Sequence, residues 1–176
     1  MNFAARTVIL SFIVATSFCL QAFAQEAPSA VTKDFIQKAS IGNQFEIVSS
    51  QLAVKRATMP EVKDFALMMI ADHTKIGDAL KQTLADRKLG LLPAKNLDTG
   101  HQKTLDGLKS ASAASFDGLY ILAQTDAHDN AVSLFKNYAQ NGDNDDLKKF
   151  AADTLPKLEQ HQEKIQSLNQ TTVSTK

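Results

Sequence analysis

The sequence predicts an all-α protein, an antiparallel four-helix bundle with a long crossover between its second and third long helices that carries a short extra helix. Three observations predict it. Apolar residues recur three and four apart over four long stretches, which is the stripe of a helix packed on its neighbours. Ala, Leu, Lys and Gln are plentiful, while the 176 residues hold only 7 Gly and 4 Pro, a helical composition. The punctuation at Thr58-Met59-Pro60 is so short that the helices it joins must be antiparallel neighbours.

The leading residues differ from the rest. Met1 to Arg6 carries positive charge, Thr7 to Leu20 is almost wholly apolar, and Ala22-Phe23-Ala24 offers small residues where a signal peptidase reads. That pattern predicts a secretory signal over 1–24, cut after Ala24. The apolar run is short for a membrane anchor, and bulky Phe18 before Cys19 is a poor context for lipid attachment. The expected location is therefore the periplasm, or association with the outer membrane. With Cys19 removed, the mature chain has no cysteine and folds without a disulfide. About 150 residues suffice for a single core.

Residues 25–30 read as a flexible start, 31–169 as the bundle domain and 170–176 as a disordered polar tail. The first helix runs from about Val31 to Arg56, with Phe35, Ala39, Phe45/Glu46, Ser49 and Leu52/Ala53 on one face. Thr58, Pro60 and Glu61 have the chemistry of an N-cap, a first-turn proline and a capping box. The second helix carries Val62, Phe65, Met69, His73, Ile76, Leu80 and Leu84, and Gly90 after Arg87-Lys88 suits a left-handed cap. A loop with Pro93 leads to the short piece Leu97 to Leu108. The third long helix starts after Ser110 or Ser112 and carries Phe116, Tyr120, Ala123, Ala127 and Tyr138, flanked by His128. Asn141-Gly142 stops it. Asp143-x-x-Asp146 opens the fourth as a cap; Asp143-Asn144-Asp145 lacks the glycine and distal glutamate of a calcium loop. That helix carries Leu147, Phe150, Leu155, Leu158, His161 and Ile165, with Pro156 expected to kink it.

Each long helix thus places one metal-competent side chain on a packed row: Glu46, His73, His128 and His161. Counting from the hairpins at roughly 1.5 Å per residue brings all four to similar heights, near mid-bundle. Three imidazoles and a carboxylate suit zinc, iron, copper or manganese rather than calcium or magnesium. Asp72 and Asp126 could hold imidazole tautomers from behind, although Asp72 sits beside the seam and reads as solvent-facing. His101 reads as a local packing or surface residue, and Tyr120, Tyr138, Met68 and Met69 read as core packing residues. The competing interpretation is a buried Glu/His hydrogen-bond network with no metal.

A formal net charge of zero carries no footprint of nucleic acid or anionic membrane. The mature segment has no transmembrane stretch, no Gly-rich phosphate loop and no nucleophile paired with a base. The residues name no reaction, and the chain reads as a binding protein rather than an enzyme.

The punctuation before Glu61-Val62-Lys63, Ala71-Asp72-His73, His101-Gln102-x-x-Leu105-Asp106-x-Leu108, Phe116-Asp117-x-x-Tyr120, His128 and Thr154-Leu155-Pro156-x-Leu158-x-x-His161 together resemble one family. It is the bacterial exported family catalogued as domain of unknown function 4142, placed among ferritin-like four-helix bundles and often labelled an outer-membrane protein. The label implies no barrel here, since the sequence has no alternating strands. Di-iron relatives of the wider ferritin-like class use two glutamates and two Glu-x-x-His motifs. Here Glu46 matches the first-helix glutamate, but the motifs read Ile70-x-x-His73 and Leu158-x-x-His161, and His128 stands where a third-helix carboxylate is expected. The resemblance therefore implies one metal or none, not a di-iron centre. The resulting expectation is an exported bundle that binds one transition metal, for metal binding or envelope stress protection. The alternative is a structural or interaction module of the envelope that meets another envelope protein or a second copy of itself.

Overall fold

The computed structural model describes residues 27–86 and 89–174. The expected signal over 1–24 and the basic pair Arg87-Lys88 lie outside the described residues. Five helices follow in order: α1 Ala30–Arg56, α2 Pro60–Asp86, α3 Thr99–Ser110, α4 Ala113–Asn141 and α5 Asp145–Ser174. Among the described residues there is no strand, and no helix is long and apolar enough to cross a membrane. α1 packs chiefly on α2 and α4 on α5, while α1–α4 and α2–α5 contacts close the bundle. The short α3 lies in the crossover against α1 and α4.

Local chemistry sets the helix starts. Ser29, Asp98 and Ser112 cap α1, α3 and α4 through side-chain oxygens that accept from Thr32, His101 and Ser115 amides. α5 is capped by Asn144, whose Oδ1 accepts from the Leu147 amide, rather than by the Asp143 expected from sequence. Asp143 instead accepts from the Thr32 hydroxyl of α1 at 2.7 Å and ties the two helix ends together. Gly90 adopts φ 66°, the left-handed conformation anticipated for it. At Gly142 the constraint is close approach: a Cβ there would lie 2.6 Å from the Tyr138 carbonyl oxygen. α5 runs as one helix through Pro156 and on to Ser174, so the polar stretch expected as a tail from Gln170 is largely helical. Intrahelical hydrogen bonds extend a helix already nucleated by its packed half.

The start of α2 departs from the sequence expectation. Thr58 and Glu61 were expected to form a capping box; instead Asp117 of α4 reaches across the bundle. Its carboxylate accepts from the amides of Thr58 at 3.0 Å and Met59 at 2.9 Å, and from the Thr58 hydroxyl. Asp117 is buried, and its removal deprives the Thr58 and Met59 donors at the α2 terminus of their acceptor. Asp117→Ala is expected to cost about 2 to 4 kcal/mol, lowering the thermal midpoint by roughly 5–12 °C. Thermal unfolding checks this, and an unchanged midpoint would refute the capping role. Arg56 plays the matching part at the end of α3. Its guanidinium donates to the carbonyls of Leu108, Lys109 and Ala111 while stacking over Phe116 at 4.9 Å.

Two apolar cores fill the bundle. One holds Phe45, Val62, Phe65, Met69, Phe116, Tyr120, Ile121 and Ile165. The other holds Phe35, Leu80, Phe135, Tyr138, Leu147, Phe150 and Leu158. Along α2, α4 and α5 the chain passes from one core to the other through a histidine: His73, His128 and His161. A polar layer therefore divides the two cores.

Candidate metal centre

The layer is dry. Glu46 is 2 % exposed, His73 1 %, and His128 and His161 are fully enclosed. Polar groups so placed must be hydrogen-bonded, bound to a ligand, or costly to the fold. Each imidazole is half satisfied.

His73 donates from Nδ1 to Glu46 Oε2 at 2.9 Å, with Asn43 Oδ1 at 3.1 Å from the same nitrogen. His128 Nδ1 lies 2.8 Å from the carbonyl oxygen of Gln124, one turn back on α4, and 3.5 Å from Glu46 Oε1. His161 Nε2 lies 3.0 Å from Asp72 Oδ2 of α2. Carbonyl and carboxylate oxygens only accept, so these three nitrogens carry the protons. In a neutral ring the other nitrogen then holds a lone pair. Those other nitrogens, His73 Nε2, His128 Nε2 and His161 Nδ1, are buried without a hydrogen-bond partner.

The three rings surround one another. Their centroids are 5.8 Å (His73–His128), 5.4 Å (His73–His161) and 5.6 Å (His128–His161) apart. One ligand atom from each can be chosen so that all lie within 4.8 Å of one another. Atoms that close share a centre within about 2.8 Å of each, against about 2.0–2.1 Å for a zinc–imidazole bond. The residues present thus fit one metal ion: enclosed lone pairs, fixed tautomers and nitrogen donors of the kind transition metals prefer.

Glu46 meets the layer differently from the sequence expectation. It was anticipated as the fourth ligand, but it lies on the proton-bearing sides of His73 and His128, outside the group of three imidazoles that could hold an ion. It is a buried carboxyl whose close ionisable partners, among the described residues, are those imidazoles. Burial is the largest influence and raises its pKa. The charge of His73, then that of His128, and the hydrogen bond from His73 outweigh it, leaving the carboxyl at about 2. For His161 burial dominates and lowers the pKa to about 4, with Asp72 only partly offsetting it.

Asp72 is also corrected. The sequence placed it toward solvent, whereas it is 18 % exposed on its side chain and turned inward onto His161, with Lys157 at 3.6 Å behind it. Its own pKa is lowered: burial opposes this, and the bond to His161 and the charge of Lys157 prevail. Asp126 is exposed and takes no part. His101 pairs with Asp98 at 2.8 Å on α3 and packs on Phe45, apart from the layer. Tyr120 and Tyr138 are buried hydrogen-bonding core residues, on Ser50 and Thr32 respectively.

Asn43 was not among the sequence candidates, and Gly77 gives the reason it can approach. A Cβ on Gly77 would sit 2.9 Å from Asn43 Nδ2. Gly77→Ala is expected to swing the amide off His73 while leaving the helix at least as stable, since Ala is the better helix former by about 1 kcal/mol. Metal affinity should fall roughly tenfold, as for other loosened ligand supports. A chelator competition titration reads this out, and unchanged affinity would remove Asn43 from the centre.

The family model described as domain of unknown function (DUF4142) matches residues 18–168. No curated protein matches the chain by sequence. Among solved structures, a DUF305 fragment from Deinococcus radiodurans superposes with a TM-score of 0.70 at 10% identity, covering 83% of this chain and 99% of that one. CopM in the Cu(II)-bound form superposes with a TM-score of 0.67 at 21% identity, again over 83% of this chain and 99% of the other. At those identities the likeness is one of fold.

Proposed function

The chain belongs to the DUF4142 family, whose description names no reaction, and on the geometry of its core we propose that it is a protein that binds one transition-metal ion, copper first, in the bundle centre. His73, His128 and His161 would hold the ion. Glu46 and Asn43 fix His73, and Asp72 fixes His161. One observation carries this reading: three buried imidazoles, each with one nitrogen left without a partner, cluster so that one ring nitrogen from each lies within 4.8 Å of the others. A lone pair buried without a partner costs about 1–3 kcal/mol.

Imidazole donors serve copper, zinc, iron and nickel, and affinity among divalent ions peaks at copper. That CopM of the same fold is solved with Cu(II) makes copper the first ion to test. The two carboxylates behind the ligands, both with lowered pKa, would balance a divalent charge while leaving the imidazoles neutral. The proposed role is binding and sequestration of the ion by the three imidazoles. With the secretory signal read over 1–24, the site of action is the periplasm or the outer-membrane face, where holding a redox-active ion protects the envelope.

The test is elemental analysis of protein purified without a histidine tag. One equivalent of metal per chain in wild type, lost in His73→Ala, supports the reading. Metal-free wild type that takes up no copper, zinc or iron on addition sinks it and favours the structural module.

A further inference from the structure

The three ligand nitrogens are sealed, so an ion must have a way in. A cavity of about 560 Å³ opens beside the layer, and Gly42, Asn43, Glu46, His73, Asp98 and His101 are among its walls. It joins the buried layer, through Glu46 and His73, to the surface at Asp98, whose side chain is about half exposed (49 %). A second space also reaches His73 but holds only about 140 Å³, and there Asn43 is pressed against Gly77. The groove of about 510 Å³ on the opposite side meets Asp72 and none of the three histidines. The wide route is therefore the one past α1 and the start of α3.

His101 stands on that route with a disposition the ligands share. Its Nδ1 is held by Asp98 at 2.8 Å, as His73 is held by Glu46 and His161 by Asp72. A neutral ring whose one nitrogen donates to a carboxylate keeps a lone pair on the other. Unlike the three in the layer, it is one-third exposed (34 %). A partly hydrated cation can meet it before shedding the rest of its water. Opposite, Gly42 leaves the passage open: a Cβ there would touch nothing within 4 Å.

We propose that this cavity is the entry route by which a transition-metal cation reaches the three-histidine centre, and that His101 is the first ligand on it. The inference rests on the metal-centre reading and deepens it. Gly42 and His101 lie outside the three-histidine group, so altering them changes the path and leaves the destination intact.

The experiment is stopped-flow transfer of Cu(II) from a weak chromophoric chelator to the full mature chain, with the endpoint fixed by elemental analysis. Gly42→Phe should fill the passage and slow loading tenfold or more, with the same copper per chain at the endpoint. Gly42→Ala, which adds little bulk, should load at the wild-type rate and shows that the slowing follows volume. His101→Phe keeps the ring packed on Phe45 but removes the lone pair, and should slow loading several-fold with the endpoint unchanged. Helical circular dichroism confirms that each variant is folded. Wild-type loading rates in folded Gly42→Phe or in folded His101→Phe overturn the proposal. If wild-type protein itself takes no copper, the metal-centre reading fails instead, before any variant is compared.

Discussion

Copper(II) at a hundredfold its dissociation constant is expected to raise the thermal midpoint of the protein by roughly 5–10 °C. The magnitude follows from linkage. A ligand that binds only the folded state stabilises it by about 2.7 kcal/mol at that excess, and a chain of this size gains about 2–4 °C per kcal/mol. The folded state alone assembles the site, because its ligands come from three helices separated by long stretches of sequence. In the unfolded chain His73, His128 and His161 are unconnected. The shift should disappear in His73→Ala, His128→Ala and His161→Ala, each measured against its own metal-free midpoint. It should persist in Asp72→Asn at reduced affinity, since the amide still accepts from His161 but has lost its charge. Identical midpoints in copper and in chelator would leave the layer as a hydrogen-bond network only.

The metal-free protein should lose stability in two acid windows. His161 takes up a proton at about 6.5 in the unfolded chain and only at about 4 in the fold, because burial resists the charge. Between those values the unfolded state holds more protons, so stability falls as pH drops from 6.5 to 4, by on the order of 3 kcal/mol, and levels off below. Glu46 acts lower. Its carboxyl titrates at 4.5 when unfolded and about 2 when folded, so its contribution is complete above 4.5 and is lost as pH falls toward 2. Urea unfolding midpoints at half-unit pH steps would resolve the two. His161→Gln should flatten the upper window and leave the lower one. A stability profile that is level from pH 7 to pH 4 would contradict the burial of a neutral His161. Acid also displaces a metal from imidazoles, so this profile reports on burial and not on which interpretation of the layer is right.

Much of the architecture was legible because helices announce themselves locally. The three-four spacing of Val62, Phe65, Met69, His73, Ile76, Leu80 and Leu84 named the inward face of α2, and the structure buries all of them but Ile76, which is partly buried. Counting from the two hairpins brought Glu46, His73, His128 and His161 to one level, because rise per residue is nearly constant and short turns leave little slack. The helix starts were less legible. Thr58 and Asp143 have the right chemistry for caps, but their oxygens answer to partners on other helices, Asp117 and Thr32, which a local rule does not see.

By itself, the sequence determined that this protein is a helical bundle with three histidines and one glutamate turned into its centre. Periodicity is a property of neighbours along the chain, so it can be read without the fold. Only the tertiary structure decided what each of those groups does. It paired Glu46 with the Nδ1 atoms of His73 and His128, turned Asp72 inward onto His161, and set Asn43 close to Gly77. The reason is that a hydrogen bond depends on side-chain orientation over about 3 Å between helices, whereas periodicity fixes only which face a residue occupies. The three nitrogens left free are what remains once those bonds are made.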